Sequence, residues 1–224
     1  MHFLTLTDIL QPQELAQLMQ IATSGNFVDG RISNPANTSK NNLQLHDEQA
    51  YRQSSQMLVQ ALMRQEEFTN FAFAKRIAPP LITKYEPGMA YGAHSDAAFI
   101  PLGRQMLRTD LSVTLFLADP DSYDGGELNI QMGARSVDFK LPPGSAVVYP
   151  SNTLHQVMPV TRGVRIAAIS FIESTIADQT HRELLYDLNE VAALTGLDMP
   201  REHYVRLQHV QYGLKRLWAD PVSG

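Results

Sequence analysis

Short runs of alternating hydrophobic residues, separated by turn-forming residues, fill the chain from about residue 80 to residue 174. Every second residue is aliphatic across 111–117, and the same period of two recurs across 128–132. The run 164–171 is largely apolar on both faces, which is typical of a central strand. Several short strands joined by Gly- and Pro-containing turns indicate a β-sandwich or a β-barrel.

Helical periodicity flanks this region on both sides. Apolar residues recur with a period near 3.6 after Pro12, and a second helix is expected from about Asp47 to Arg64. The polar stretch from Ser24 to Asn42 is predicted to be a loop. Two further amphipathic helices are expected after residue 176, with Pro200 between them. We therefore predict an α+β protein with helices over residues 1–75, a β core over about 80–174 and helices over 177–224.

Composition restricts the chemistry that such a core can carry. The 224 residues include seven histidines and no cysteine, which excludes disulfides, thiolate metal sites and a cysteine nucleophile. Any metal site must therefore use histidine and carboxylate ligands. The formal net charge of −5 argues against a nucleic-acid partner. No signal peptide and no membrane-spanning run is recognised, so we expect a cytoplasmic protein without a membrane partner.

Two histidines and one aspartate in the β region have the spacing of a metal site. Residues i and i+2 of a strand share a face, so His94 and Asp96 can reach the same ion. His155 follows another apolar strand about sixty residues later. Two histidines and one carboxylate form the facial triad of non-haem Fe(II) oxygenases, which leaves coordination positions open. Each residue alone is weak support, because a hydrogen-bonded surface or core residue is the commoner case.

An arginine and two tyrosines accompany the three candidate ligands. Arg165 lies ten residues after His155 on an apolar strand, where an unpaired charge is costly. Its guanidinium can bind a carboxylate in a bidentate manner, and a dicarboxylate cosubstrate can supply that group, as can an acidic side chain. Tyr85 and Tyr91 precede His94 and offer an apolar ring with a polar tip, or ordinary barrel packing.

Taken together, these motifs resemble one family over nearly the whole chain. The segments KNNLQL, KYEPGMAYGAHSDAA and LPPGSAVVYPSNTLHQVMPVTRGVR are similar to the Fe(II)/2-oxoglutarate-dependent dioxygenases of the prolyl-4-hydroxylase-like group. Within that group the chain resembles the bacterial PKHD-type hydroxylases, which are often linked with iron-uptake genes. The resemblance implies a double-stranded β-helix (jelly-roll) core, with a dioxygenase domain over residues 1–176 and a C-terminal helical extension over 177–224.

The resemblance also implies roles for individual residues. Fe(II) would be bound by His94, Asp96 and His155, and the distal carboxylate of 2-oxoglutarate by Arg165 with help from Tyr85. Tyr91 would face the substrate side of the pocket. L-ascorbate would support turnover, and a small-molecule or peptide substrate would be hydroxylated by O₂ with release of succinate and CO₂. A carboxylate at Asp96 favours hydroxylation over halogenation, because related halogenases have a small residue at that position.

Other interpretations remain open at the level of the sequence. A non-catalytic, cupin-like barrel that binds a metal or ligand would keep the histidines without needing Arg165. A metal-dependent hydrolase or isomerase would need an additional base beside the metal, and none is recognised. The segments 24–42 and 97–108 are expected to form variable walls of the pocket. Lys40 and Asn42 are expected in a solvated loop, and the tail helices to pack on the core with some self-association into a homo-oligomer.

Overall fold

The computed structural model describes residues 3–35 and 37–221, and five α-helices lie in these parts of the chain. Their bounds are α1 (Pro12–Ser24), α2 (Glu48–Met63), α3 (Glu66–Ala72), α4 (Gln179–Thr195) and α5 (Arg201–Trp218). The Asp47 carboxylate caps α2 by accepting a hydrogen bond from the backbone N–H of Ala50 at 2.8 Å. The predicted helices α1, α2, α4 and α5 are confirmed, with the break before α5 at Pro200.

Seventeen strands lie in the same described residues. The first nine are β1 (Leu4–Leu6), β2 (Phe27–Asp29), β3 (Lys40–Asn41), β4 (Leu43–Leu45), β5 (Ala74–Ile77), β6 (Leu81–Tyr85), β7 (Ala90–His94), β8 (Phe99–Leu102) and β9 (Gln105–Arg108). The others are β10 (Leu111–Phe116), β11 (Asp124–Gly125), β12 (Leu128–Met132), β13 (Arg135–Phe139), β14 (Ser145–Pro150), β15 (His155–Val157), β16 (Val160–Arg162) and β17 (Arg165–Ser174).

Two antiparallel sheets form the jelly-roll core. The larger sheet has the strand order β1-β14-β10-β17-β6-β4-β2, and β5 pairs with the far end of β17. The smaller sheet has the order β13-β12-β15-β7-β3. The pairs β8–β9 and β11–β16 form separate two-stranded sheets. The jelly-roll core predicted for the β region is confirmed.

The larger sheet is buried on both faces, which explains why its central strands are apolar throughout. Helices α1 to α3 cover one face, where Leu18, Leu58 and Phe68 pack against strand residues such as Val113. The smaller sheet covers the other face, and the residues between the two sheets form a second apolar cluster. This second cluster surrounds the space into which the polar side chains of the site project.

The N-terminal segment contains more strand than its composition predicts. The prediction of helices over residues 1–75 misses β1 to β4, and the loop predicted over 24–42 contains β2 and β3. These strands have two or three residues each, too few to show a period of two. They form because β1, β3 and β4 extend sheets that distant parts of the chain have built.

The C-terminal helices pack on the core through a small apolar cluster. Leu185 on α4 and Trp218 on α5 share this cluster with Phe73 and Ile176. Beyond α5, the backbone N–H of Asp220 donates to the carbonyl of Thr175 at 2.7 Å. The expected packing of the tail against the core is therefore observed. No helix in the described parts of the chain has the length and apolar character needed to cross a bilayer.

Candidate active site

A pocket lies between the two sheets. Residues from both sheets line it, and its walls combine aromatic and aliphatic side chains with a few polar groups. This composition is typical of small-molecule sites. The structure brings together in this pocket all six residues that the sequence indicates: Tyr85, Tyr91, His94, Asp96, His155 and Arg165.

The two histidines face each other across a pair of neighbouring strands. His94 ends β7, His155 begins β15, and the two residues are partners in the register of the smaller sheet. The Nδ1–H of His94 donates to the Gly92 carbonyl at 2.8 Å, and that of His155 to the Thr153 carbonyl at 2.9 Å. Because a carbonyl can only accept, both Nδ1 atoms carry the proton. Both Nε2 atoms are therefore available as metal ligands.

Asp96 lies just beyond β7, where its position depends on hydrogen bonds instead of strand pairing. Its backbone N–H donates to the Ser151 carbonyl at 3.2 Å. The Ser112 hydroxyl donates to Asp96 Oδ2 at 2.6 Å and contacts the Ser151 hydroxyl at 2.7 Å. The sequence analysis placed His94 and Asp96 on one strand, whereas the structure has only His94 there. The two side chains still converge.

The converging ligand atoms form a compact group. Asp96 Oδ1 lies 3.9 Å from His94 Nε2, and Asp96 Oδ2 lies 3.7 Å from His155 Nε2. One ligand atom from each of the three residues falls within 4.8 Å of the others, so the group can hold a metal ion. Burial lowers the pKa of His94, with a further contribution from His155, which keeps the imidazole neutral and able to coordinate. Two imidazoles and one carboxylate suit Fe(II).

Arg165 lies in the same pocket without a carboxylate partner. It is 2% exposed, and its Nε has no hydrogen-bond partner among the described residues. Its guanidinium carbon lies 5.1 Å from the ring centroid of Tyr85 and 5.8 Å from that of Phe116. The expected alternative, an ion pair with an acidic side chain, is not found in the described parts of the chain. A buried guanidinium in this state fits an anionic ligand.

Tyr85 is the register partner of Arg165 on the adjacent strand β6. Its hydroxyl accepts a hydrogen bond from Asn42 Nδ2 at 3.1 Å, so the hydroxyl proton remains available to a ligand. Burial raises the pKa of Tyr85 to about 12, although Arg165 and Asn42 act in the opposite direction. The phenol therefore stays a neutral hydrogen-bond donor at neutral pH.

Tyr91 packs directly on one of the candidate ligands. Its ring is stacked on the His94 imidazole with a centroid separation of 3.7 Å. The Tyr91 hydroxyl accepts a hydrogen bond from Asn37 Nδ2 at 3.3 Å. Tyr91 thus links β7 to the polar segment that precedes β3.

Two residues of the pocket are buried although the sequence analysis predicted that they are exposed to solvent. Lys40 and Asn42 were expected in a solvated loop, but they are 8% and 3% exposed and line the pocket. Pairing of β3 with β7 buries this segment, which its polar composition does not reveal. The one sequence signal for a role in the site was that both residues lie in the segment KNNLQL, which resembles the family. The prediction that residues 97–108 form a wall of the pocket is also wrong, because none of these residues lines it.

The remaining histidines are separate from the pocket or outside the described residues. His46, His181, His203 and His209 do not line it, and His181 is stacked on Trp218 in the tail. His2 lies outside the described part of the chain. Ser112 and Tyr149, which the sequence analysis did not single out for the site, do line the pocket.

Comparisons with known proteins agree on one family. The family described as "2OG-Fe(II) oxygenase superfamily" matches residues 80–173. A PKHD-type hydroxylase of Sphingopyxis alaskensis is 54% identical, covering 95% of this chain and 98% of the relative. One of Xanthomonas campestris pv. campestris is 39% identical, covering 97% and 99%. A crystal structure of a Pseudomonas putida prolyl-4-hydroxylase has a TM-score of 0.55 at 19% identity, over 77% of this chain and 92% of that one.

Proposed function

We propose that this chain, which belongs to the 2OG-Fe(II) oxygenase superfamily and within it to the PKHD-type hydroxylases, hydroxylates a C–H bond of its substrate. As an oxygenase of this family it uses Fe(II), 2-oxoglutarate and O₂. The proposed reaction releases succinate and CO₂ from 2-oxoglutarate. The observation that carries this proposal is the unpaired Arg165 guanidinium, buried in the same pocket as the His–Asp–His group.

We propose that His94, Asp96 and His155 bind the iron. The two Nε2 atoms and the Asp96 carboxylate are the donor atoms, and the carbonyls of Gly92 and Thr153 fix the orientation of the two rings. Fe(II), when bound together with 2-oxoglutarate, supplies the activation of O₂ and the oxidising power for the substrate. The family resemblance implies that the carboxylate at Asp96 favours hydroxylation, because related halogenases have a small residue at that position.

We propose that Arg165 and Tyr85 bind the distal carboxylate of 2-oxoglutarate. The guanidinium supplies charge and a planar set of donors, and the neutral Tyr85 hydroxyl supplies one more hydrogen bond. Both residues are almost fully buried, so water competes little for the carboxylate. Arg165 stabilises the cosubstrate and holds it in a single orientation relative to the metal ligands.

Tyr91 is proposed to face the substrate. Its ring covers one side of His94, and its hydroxyl is held by Asn37 on the segment before β3. Substrate would therefore approach the metal ligands along this wall of the smaller sheet. The fold similarity to prolyl hydroxylases makes a peptide one candidate substrate and a small metabolite the other. The family resemblance also implies a link to iron uptake and the use of ascorbate, and both belong to this proposal.

A non-catalytic, cupin-like barrel accounts less well for these observations. Such a module requires a metal or ligand site, but it does not require a second, buried cation without a counter-ion. Arg165 is costly to keep in that state unless a ligand carboxylate pairs with it. A metal-dependent hydrolase would need a general base beside the metal, and among the described residues no histidine or acidic side chain other than the three candidate ligands lines the pocket.

Consumption of 2-oxoglutarate in air tests the proposal. The wild-type protein is expected to convert 2-oxoglutarate to succinate only when Fe(II) and O₂ are both present, with ascorbate extending the time course. His155→Ala removes one proposed ligand and is expected to abolish this conversion. His209→Ala, which changes an exposed histidine on α5, is the matched control and should retain it. Succinate formation by His155→Ala at the wild-type rate would contradict the assignment.

A further inference from the structure

Lys40 is a buried lysine in the wall of the pocket. It lies on β3, opposite Tyr91 in the strand register, and its side chain reaches the same cavity as the candidate metal ligands. The ammonium lies 5.6 Å from the centroid of the Tyr91 ring, and the same ring is stacked on His94. Lysine is rarely buried to this degree unless its charge is paired.

Among the described residues, no carboxylate forms an ion pair with Lys40. Asp29 and Asp96 are the acidic groups near enough to raise its pKa, against the larger lowering effect of burial. Asp29 is already bound by both the Nε and the Nη2 of Arg31. Asp96 faces the two histidines and accepts a hydrogen bond from Ser112. Neither carboxylate is available as a dedicated partner of Lys40.

Among the described residues, the ammonium has one hydrogen-bond partner, which leaves donors unused. Lys40 Nζ donates to the Ser33 hydroxyl at 2.6 Å, and that hydroxyl lies within hydrogen-bond distance of the Gly30 carbonyl and Gln44 Oε1. An ammonium has three N–H donors, so two remain for a ligand. Ser33 fixes the position of the ammonium without neutralising its charge.

Lys40 and Arg165 reach the pocket from different sheets. Arg165 belongs to the larger sheet, where it is paired with Tyr85, whereas Lys40 belongs to the smaller sheet, where it is paired with Tyr91. If Arg165 holds the distal carboxylate of 2-oxoglutarate, the cosubstrate extends from the larger sheet to the metal. The cation on the smaller sheet then faces the space that remains for the primary substrate.

From this arrangement we infer that Lys40 is a specificity-determining residue that binds a carboxylate group of the primary substrate. The inference rests on the proposed function, because it assumes that Arg165 is occupied by 2-oxoglutarate. A single ammonium balances a single carboxylate, and burial strengthens the pairing by excluding water and salt. The substrate class is therefore a molecule that presents a free carboxylate near the carbon to be hydroxylated.

Binding to the Fe(II)- and 2-oxoglutarate-loaded protein without O₂ tests this inference. The probes are N-acetylated amino acids, each as the free acid and as the matching primary amide, and binding is followed by the change in the visible charge-transfer band. At least one acid is expected to bind the wild-type protein about tenfold or more tightly than its amide, which corresponds to one charge-assisted contact. The comparison needs no variant, so equal binding of acid and amide would refute the inference even if a substitution at Lys40 prevents folding.

Variants at Lys40 test whether this residue causes the preference for the acid over the amide. Lys40→Met is expected to lose the acid preference and Lys40→Arg to retain most of it. Lys84→Met is the matched control, because Lys84 is half-buried on β6, outside the pocket, beside Glu86 and the Phe27 ring. Full retention of the preference in Lys40→Met would overturn the inference.

Further outcomes would also overturn it, and they separate it from the proposed function. Equal binding of acids and amides, or binding of neither, would exclude a carboxylate site in the wild-type protein. A loss of 2-oxoglutarate affinity in Lys40→Met, with acid binding unchanged, would assign Lys40 to the cosubstrate. Absence of the band from the wild-type protein would instead contradict the proposed function, and this inference with it.

Discussion

At the scale of single residues, Asp96 depends on its neighbours more than the two histidines do. The histidines are anchored by strand pairing and by carbonyls two residues before them. Asp96 lies past the end of β7 and is held by the Ser112 hydroxyl and the Ser151 carbonyl. Groups that orient a ligand in this way commonly contribute 10- to 100-fold to metal affinity, as an order-of-magnitude estimate.

We therefore predict that Ser112→Ala weakens Fe(II) binding by about tenfold, because the Asp96 carboxylate loses its orienting donor. Anaerobic titration of the metal-free protein measures the effect. Ser122→Ala is the control, since Ser122 is exposed and its hydroxyl donates to the Asp119 carbonyl, away from the pocket. Equal metal affinity of the two variants would show that Ser112 has no positioning role.

Tyr85→Phe is predicted to weaken 2-oxoglutarate binding by about tenfold or more, because one hydrogen bond to a charged group is lost. Burial favours the neutral phenol and raises its pKa to about 12. The hydroxyl therefore keeps its proton as the pH rises from 7 to about 10, where an ordinary tyrosine begins to ionise. The affinity difference between wild type and Tyr85→Phe should stay constant over that interval. A decrease toward pH 10 would contradict this assignment.

Residues whose chemistry is unusual in their local sequence were predictable, and residues whose burial comes from distant pairing were not. His94, His155 and Arg165 stand out because each is polar within or beside an apolar run. Lys40 and Asn42 lie among other polar residues, so their sequence context predicts solvent exposure. Their burial depends on the pairing of β3 with β7, about fifty residues further along the chain.

At the scale of elements, the turn before β12 determines where Arg165 can lie. Gly126 has a φ of +68°, and a Cβ atom there would lie 3.0 Å from both Arg165 Cδ and Val160 Cγ2. A side chain at this turn would therefore meet a strained backbone conformation and would crowd the arginine. The sequence analysis predicted Gly-containing turns in the β region but linked none of them to the site.

Gly126→Ala is expected to displace Arg165 and to weaken 2-oxoglutarate binding by about tenfold or more. Gly133→Ala is a matched control, because Gly133 has a similar φ of +61° and no atom within 4 Å of the added Cβ. Both variants carry a backbone cost of about 1 kcal/mol from the left-handed conformation. Only Gly126→Ala should change the affinity measured by titration, and equal affinities would refute the proposed contact.

Long helices and strands were located more accurately from the sequence than short ones. Helices α1 and α2 and strands β10, β12 and β17 are long enough to show a clear period, and each was located to within a few residues. The short strands β1 to β4 and the seven-residue α3 have no such signal. Their structure is determined by partners elsewhere in the fold, so no local pattern could have located them.

At the scale of the whole molecule, an ionic cluster attaches the C-terminal tail to the core. Arg108 donates to Asp110 and to Asp220, and Lys75 lies 3.5 Å from the Asp220 carboxylate. The side chains of Arg108 and Asp220 remain 29% and 22% exposed, so screening by water limits the contribution of each pair. The tail is thus held by apolar contacts together with modest electrostatic ones.

Asp220→Ala should lower the free energy of unfolding by about 1 kcal/mol and Tm by about 2–4 °C. Asp198→Ala, which changes an exposed carboxylate in the turn between α4 and α5, should have an effect within about 0.5 kcal/mol. Thermal unfolding followed by circular dichroism measures both. Equal destabilisation by the two substitutions would show that the ionic cluster does not secure the tail.

The central claim is that one pocket holds both the metal ligands and the cation for 2-oxoglutarate. Its most direct test is the visible charge-transfer band formed when Fe(II) and 2-oxoglutarate are added without O₂. We predict the band in the wild-type protein and in the surface control Arg162→Ala, whose arginine contacts Asp124 on β11. We predict its loss in His155→Ala and, at the same 2-oxoglutarate concentration, in Arg165→Ala. No band in the wild-type protein, or an unchanged band in Arg165→Ala, would contradict the account.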